Sequence, residues 1–157
     1  MWAAGPVCGT VAAGTIAWIK SNRSIPTAVT IPVLTVSDVP LAVAWLEGAF
    51  GFSERLRIGE RHRSQLEVPG GGAVVLAEVR PETRVPTPGG ASHSVMVRVT
   101  DARGHCERAR GAGARILMEP TDFEYGERQY AAEDPFGHRW TFSETLSDVD
   151  PADWMQP

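Results

Sequence analysis

The sequence predicts an α+β protein made from a duplicated β-α-β-β-β module, on three observations. Val33-Leu34-Thr35-Val36-Ser37-Asp38 and Met96-Val97-Arg98-Val99-Thr100-Asp101 are each a β-like run closing on Val-x-Asp. Each is followed by a helix-periodic stretch that ends in Gly, at Phe50-Gly51 and Ala112-Gly113. Further strand-like segments follow each copy, and the two aspartates stand 63 residues apart. Two copies of one module build two similar half-sheets, and the cleft between half-sheets is the place to look for function.

In the first copy, Val29–Val36 is rich in Val, Thr and Ile and reads as a strand, with Pro32 tolerable near its start or on an edge. Asp38 is an N-cap candidate, and Pro40 sits in the first helical turn. Val39, Val43, Leu46 and Phe50 recur at helical spacing with Trp45 beside them; Gly48 weakens the helix and Gly51 ends it. Ser53–Gly59 and His62–Val68 alternate apolar and polar around a turn at Gly59-Glu60-Arg61. Gly70-Gly71-Gly72 is a second turn, and Ala73–Val79 is a continuous apolar run that reads as a buried strand.

Prolines and glycines crowd residues 81–91, which places a linker between modules 29–80 and 92–146. Ser92–Val99 is the first strand of the second copy. Asp101 caps a helix to about Gly111, and Gly113 ends it. Ala114–Met118 is a short strand, and Pro120–Gly126 a polar, aromatic loop. Glu127–Glu133 and Arg139–Glu144 are strands joined by Asp134-Pro135-Phe136-Gly137, the composition of a type I turn. Ser147–Pro157 is a surface tail anchored by Trp154.

At 157 residues the chain makes one domain or two fused half-domains, and 43% apolar residues suffice for a core. A net charge of −4 excludes the basic footprint of a nucleic-acid binder. Lys20 is the only lysine. Cys8 and Cys106 lack metal-ligand spacing and read as free thiols in a reducing compartment, which favours the cytoplasm. Residues 1–24 stand apart. Pro6 and several glycines interrupt their apolar run, so they read neither as a membrane span nor, without an early basic residue, as a signal peptide. The expectation is a poorly ordered extension ahead of a domain spanning residues 25–146.

The run Tyr125-Gly126-Glu127-Arg128-Gln129-Tyr130, with Asp134-Pro135-Phe136-Gly137-His138-Arg139-Trp140-Thr141-Phe142, resembles the closing hairpin of the vicinal oxygen chelate superfamily. That superfamily contains glyoxalase I, extradiol dioxygenases and the bleomycin-resistance proteins. The Val-x-Asp helix entries and the Phe50-Gly51-Phe52 exit resemble it too, so the likeness covers residues 29–146. It implies paired modules whose sheets curl into one cupped mixed sheet with the helices packed outside, and a homodimer. It also implies metal-ligand slots: a His seven residues before each helix-capping Asp and a Glu seven residues after the turn Asp. Here those three slots hold Ile31, Ser94 and Thr141, and for the fourth, near the end of the first module's sheet, Glu78 is the only plausible occupant. The expectation is therefore no metal cofactor. The alternative is a divalent metal held by Glu78, His93 and Glu144, in a metal-dependent lyase, isomerase or dioxygenase.

His93 sits one residue from its slot, and one residue turns a strand side chain to the opposite face. His62, His105 and His138 are scattered, and His138 is expected to stabilise its own turn. No nucleophile motif occurs, and His105 and Cys106, adjacent on a helix, do not face each other. If Thr141 faces the cup, Arg139 and Ser143 share its face while Trp140 and Phe142 point to the helices. By the same parity Ile31, Val33, Thr35, Ser94, Met96 and Arg98 face the cup. Arg98 and Arg139 either bind an anionic or carbonyl-bearing ligand, or are solvated rim residues or pair with Glu127 or Glu133. Tyr130 either stacks on a planar ligand or packs across the strands. The partner expected is a small organic molecule, bound at Ile31, Val33, Ser94, Met96, Arg98, Tyr130, Arg139 and Thr141, with no nucleic acid and no membrane involved.

Overall fold

The computed structural model describes residues 20–155. The expectation for the first 19 residues, and Cys8 with them, lies outside the described residues. The element order is β1 (Val33–Val36), α1 (Val39–Phe50), β2 (Ser53–Ile58), β3 (Arg63–Val68) and β4 (Gly72–Glu78). Then come β5 (Ser94–Arg98), α2 (Ala102–Gly111), β6 (Arg115–Asp122), β7 (Glu127–Glu133), β8 (Arg139–Thr145) and the short α3 (Pro151–Trp154). The strands form two four-stranded mixed sheets, ordered β1-β4-β3-β2 and β5-β8-β7-β6. In each, the first strand pairs parallel with the last, and the other pairs are antiparallel. The fold is α+β, built from two β-α-β-β-β modules.

The helix starts follow from the two aspartates. Asp38 accepts the Leu41 amide at 3.0 Å and Asp101 the Gly104 amide at 2.9 Å, each satisfying a donor that the first turn leaves open. Gly51 closes α1 at φ 73°, a conformation costly for a residue with a Cβ. The second strand of the second module, β6, is longer than its sequence suggests, running through Pro120 to Asp122. It is the edge strand, and its register slips on either side of Met118, so the missing proline N–H breaks no regular ladder.

Alternation sends Leu34, Val36, Leu66, Val74 and Leu76 of the first sheet, and Val97, Tyr130, Trp140 and Phe142 of the second, into one core under the helices. Phe50, the last residue of α1, links the halves. Its ring lies 5.4 Å from Trp140, 4.7 Å from Phe142 and 5.7 Å from His105, with edge-to-face contacts to the first two. His105 is buried between the modules. Its Nε2 lies 3.3 Å from the Phe50 carbonyl, so it carries the proton, and Tyr130 donates its hydroxyl to Nδ1 at 2.5 Å. His138 does more than the expected turn role: its Nε2 donates to the Thr35 carbonyl of the other module at 2.8 Å.

Residues just before Ile25 are tied to the first sheet by side-chain hydrogen bonds. Arg55 donates to the Arg23 carbonyl at 2.6 Å and Gln65 to the Ser24 carbonyl at 2.9 Å, and Pro26 is buried. A domain edge drawn at Ile25 cuts across these contacts. At the other end, Trp154 of α3 rests on Tyr125, with ring centroids 5.2 Å apart.

Trp140→Ala and Phe142→Ala are each expected to cost about 3–5 kcal/mol in chemical denaturation, because both rings are fully enclosed. A loss under 1 kcal/mol for both would mean that the strand faces are reversed.

Burial, with Arg108 nearby, pushes the His105 pKa down to about 4 from 6.5. The unfolded chain therefore takes up a proton between those values that the folded chain refuses. Stability is fully present above pH 6.5 and falls as the pH drops toward 4, by up to about 3 kcal/mol. Comparing the pH dependence of unfolding in wild type and His105→Gln checks this: the variant should lose that part of the slope, and parallel curves would show that His105 titrates normally.

Candidate functional site

The face of each sheet turned away from the helices gathers most of the expected site. Val33 and Thr35 alternate with the buried Leu34 and Val36, and Ile31 lies two residues before Val33 in the approach to β1. Across β5, Ser94, Met96 and Arg98 alternate with Val95 and Val97, while Arg139, Thr141 and Ser143 alternate with the enclosed Trp140 and Phe142 of β8. The parallel register sets Ser94 beside Arg139, Met96 beside Thr141 and Arg98 beside Ser143. Ser94 and Thr141 share a hydrogen bond of 2.9 Å. Met96 is 61% exposed and Val33 55%.

Tyr130 is not part of this group. It pairs with Phe142 across the β7–β8 hairpin, so it points to the helices, fully buried, and its ring stacks on Phe142 at 4.9 Å. The cross-strand packing alternative is the one the structure shows. In its place β7 presents Glu127 and Gln129, two residues absent from the expected site. Glu127 accepts from Ser143 and Thr145, each at 2.6 Å, and these bonds hold its carboxyl below the usual range. Gln129 donates to Ser143 at 3.0 Å, and Arg98 donates to Thr145 at 2.6 Å. Strand alternation was the signal that could have found both.

Arg98 thus reaches Glu127 through Thr145 rather than by a direct pair. Arg139 lies 4.0 Å from Glu133 and donates to the Gly89 carbonyl at 3.4 Å. Burial pushes the Glu133 pKa up, but hydrogen bonds from Arg115 at 2.8 Å and the Gly89 amide at 3.1 Å outweigh it and leave the carboxyl ionised. The face is therefore a charged and hydroxylated sheet surface around one exposed thioether. Between the modules, a cavity of about 380 Å³ is walled by Thr30 and Pro32 on one side and by Met96 and Arg98 on the other.

Among the described residues, the expected positions do not fit a metal. Ile31, Ser94 and Thr141 occupy the three slots named above, and the alternative set is dispersed. Glu78 pairs with the buried Val36 position and so lies on the helix-side parity, where it is hydrogen-bonded to His62 Nδ1 at 2.7 Å. His93 is exposed ahead of β5. Glu144 accepts the Ala102 amide at 2.9 Å, supporting the start of α2. Among the described residues no three His, Cys, Asp or Glu side chains converge as a metal site. Cys106 is buried, and burial pushes its thiol pKa up, away from nucleophilic use. No helix among the described residues is long and apolar enough to cross a membrane.

Comparison with known proteins agrees with this geometry. The family model described as Glyoxalase/Bleomycin resistance protein/Dioxygenase superfamily matches residues 27–142. The chain is similar to the crystal structure of TioX from Micromonospora, at 35% identity and TM-score 0.61, covering 74% of this chain and 97% of that one. A glyoxalase/bleomycin resistance protein/dioxygenase from Nocardioides shares the fold at 19% identity and TM-score 0.57, over 79% of this chain and 87% of that one. An uncharacterized protein of Mycobacterium tuberculosis is 29% identical over 128 residues, 75% of each chain. The duplicated modules, the open sheet faces and the family match over most of the chain lead to one conclusion: this chain belongs to the Glyoxalase/Bleomycin resistance protein/Dioxygenase superfamily.

Proposed function

We propose that this chain is a cytoplasmic, homodimeric small-molecule-binding protein of the glyoxalase/bleomycin-resistance type, working without a metal site. The observation that carries the reading is Met96, 61% exposed on the open sheet face and set among Ser94, Arg98 and Thr141. An apolar thioether ringed by hydroxyls and guanidiniums gives a small organic ligand both area and orientation. Ile31, Val33 and Arg139 extend the same face. The supports for binding rather than turnover are positive ones. The hydroxyls are committed to a carboxylate or to each other, and Glu127 is held ionised by two donors, which leaves it a poor proton donor. Exposed apolar Val29 and Val33 beside β1 favour a second copy, in keeping with the dimers that the family resemblance implies.

The test starts from a ligand found by thermal-shift screening of the purified protein, alongside metal analysis. For an anionic ligand, Arg98→Ala and Arg139→Ala should each weaken binding by about 1.5–3 kcal/mol. Arg→Lys should recover only part, because the planar fork is lost. A neutral apolar ligand should respond to Met96→Ala instead. Mass spectrometry should return the ligand unchanged. Conversion of the ligand, or one tightly bound ion per chain lost on His93→Ala or Glu78→Ala, would overturn the reading in favour of the metal-dependent enzyme.

A further inference from the structure

The two modules meet at two seams that are copies of each other, and the copies differ. Trp45 Nε1 donates to the Ala112 carbonyl at 2.8 Å, and Arg108 Nε donates to the Ala49 carbonyl at 3.1 Å. Arg108 follows Trp45, and Ala112 follows Ala49, by the same 63 residues that separate Asp38 from Asp101. One backbone contact is therefore made twice, once by an indole and once by a guanidinium. The sheets extend the correspondence. Val33 pairs with Val75, and its repeat partner Met96 pairs with Thr141, so Val75 and Thr141 are equivalent. Counting back along each strand, Gly70 is the equivalent of Phe136 and Gly72 of His138.

One seam is filled by aromatic rings. His138 crosses to the Thr35 carbonyl, Phe136 packs on the core, and Trp45 meets Phe50 edge-on at 5.0 Å. At the equivalent places the other seam has Gly72, Gly70 and Arg108. It holds a cavity of about 490 Å³, with Phe50, Phe52 and Val97 among its apolar walls and Arg108 in its lining. Gly70 has φ 95°, and a Cβ built there would meet nothing within 4 Å, so the chain leaves that space open. Beyond the Ala49 contact, the Arg108 guanidinium has no hydrogen-bond partner among the described residues, and one of its terminal nitrogens lies 3.8 Å from the Cβ position of Gly51. The Asp101 carboxylate is engaged with the Gly104 amide, and both His105 ring nitrogens are engaged within the core.

A space the size of aromatic rings, with apolar walls and a guanidinium, selects a ligand of one chemistry. We propose that this seam binds a planar aromatic anion, such as an aromatic carboxylate, with its ring against Phe50, Phe52 and Val97 and its carboxylate on Arg108. The site lies on the helix side of the seam and does not depend on ligand binding at the open sheet face.

The test titrates 1-naphthoate into the full-length protein while backbone amide shifts are followed. Saturable shifts are expected at Gly51, Gly70 and Val99–Asp101. Naphthalene-1-methanol, the same ring without the charge, should bind roughly tenfold more weakly or worse, the worth of a charge-assisted hydrogen bond. Arg108→Ala should weaken naphthoate by a similar factor. Arg108→Trp, which installs the residue of the filled seam, should abolish the shifts. Shifts confined to Ser94 and Thr141, no saturation, or equal binding of the neutral probe would each overturn the proposal. The comparison of the two probes needs only the wild-type protein, so it stands whether or not a variant folds.

Discussion

The phenyl ring of Phe50 leaves the first module at the end of α1 and lodges among Trp140, Phe142 and His105 of the second. This contact decides where everything else can be. A ring placed there makes the helix-facing side of both sheets one apolar interior. Strand alternation then obliges the polar set, from Thr35 through Ser94, Arg98 and Thr141, to lie on the opposite faces. The candidate site is the outer side of strands whose inner side carries the core. Gly51 matters for the same reason: its left-handed backbone stops α1 where Phe50 can turn into the neighbouring module.

Hydrogen bonds fasten the same junction. Trp45 and Arg108 each reach a backbone carbonyl at the end of the opposite helix, His138 reaches that of Thr35, and His105 reaches that of Phe50. Each joins a side chain of one module to a carbonyl of the other, so each has value only when both modules are folded. Buried groups so paired give geometric definition that apolar packing alone does not. On the outer face of the second sheet, Arg98, Thr145, Glu127, Ser143 and Gln129 form a chain of hydrogen bonds that holds the open surface in one arrangement.

Much of this was legible in the sequence, for physical reasons. The Asp38 and Asp101 caps, the closing Gly51 and the alternation around Thr141 are local signals, and each predicts its element directly. The burial of Trp140 and Phe142 followed from that alternation. The place of Tyr130 followed from it too, through one more step. With Glu133 opposite Arg139, the hairpin sets Tyr130 opposite Phe142 and therefore inside. The same step would have put Glu127 and Gln129 on the open face. Other features had no local signal. Arg55 and Gln65 hold backbone carbonyls of Arg23 and Ser24, contacts that any residue types at positions 23 and 24 would offer. The continuation of β6 through Pro120 depends on its being an edge strand, which only the sheet order reveals. His62 holds Glu78 across the β3–β4 pair, a contact that only the strand pairing reveals.

If Phe50 couples the modules, weakening it should loosen both. Native-state amide hydrogen exchange on Phe50→Leu, which keeps an apolar side chain but removes the ring, measures this residue by residue. The expected result is a matched loss of protection in β4 of the first module and β8 of the second. Loss confined to α1 and the first sheet, with β8 exchanging as in wild type, would contradict it and show the two modules to be independently stable.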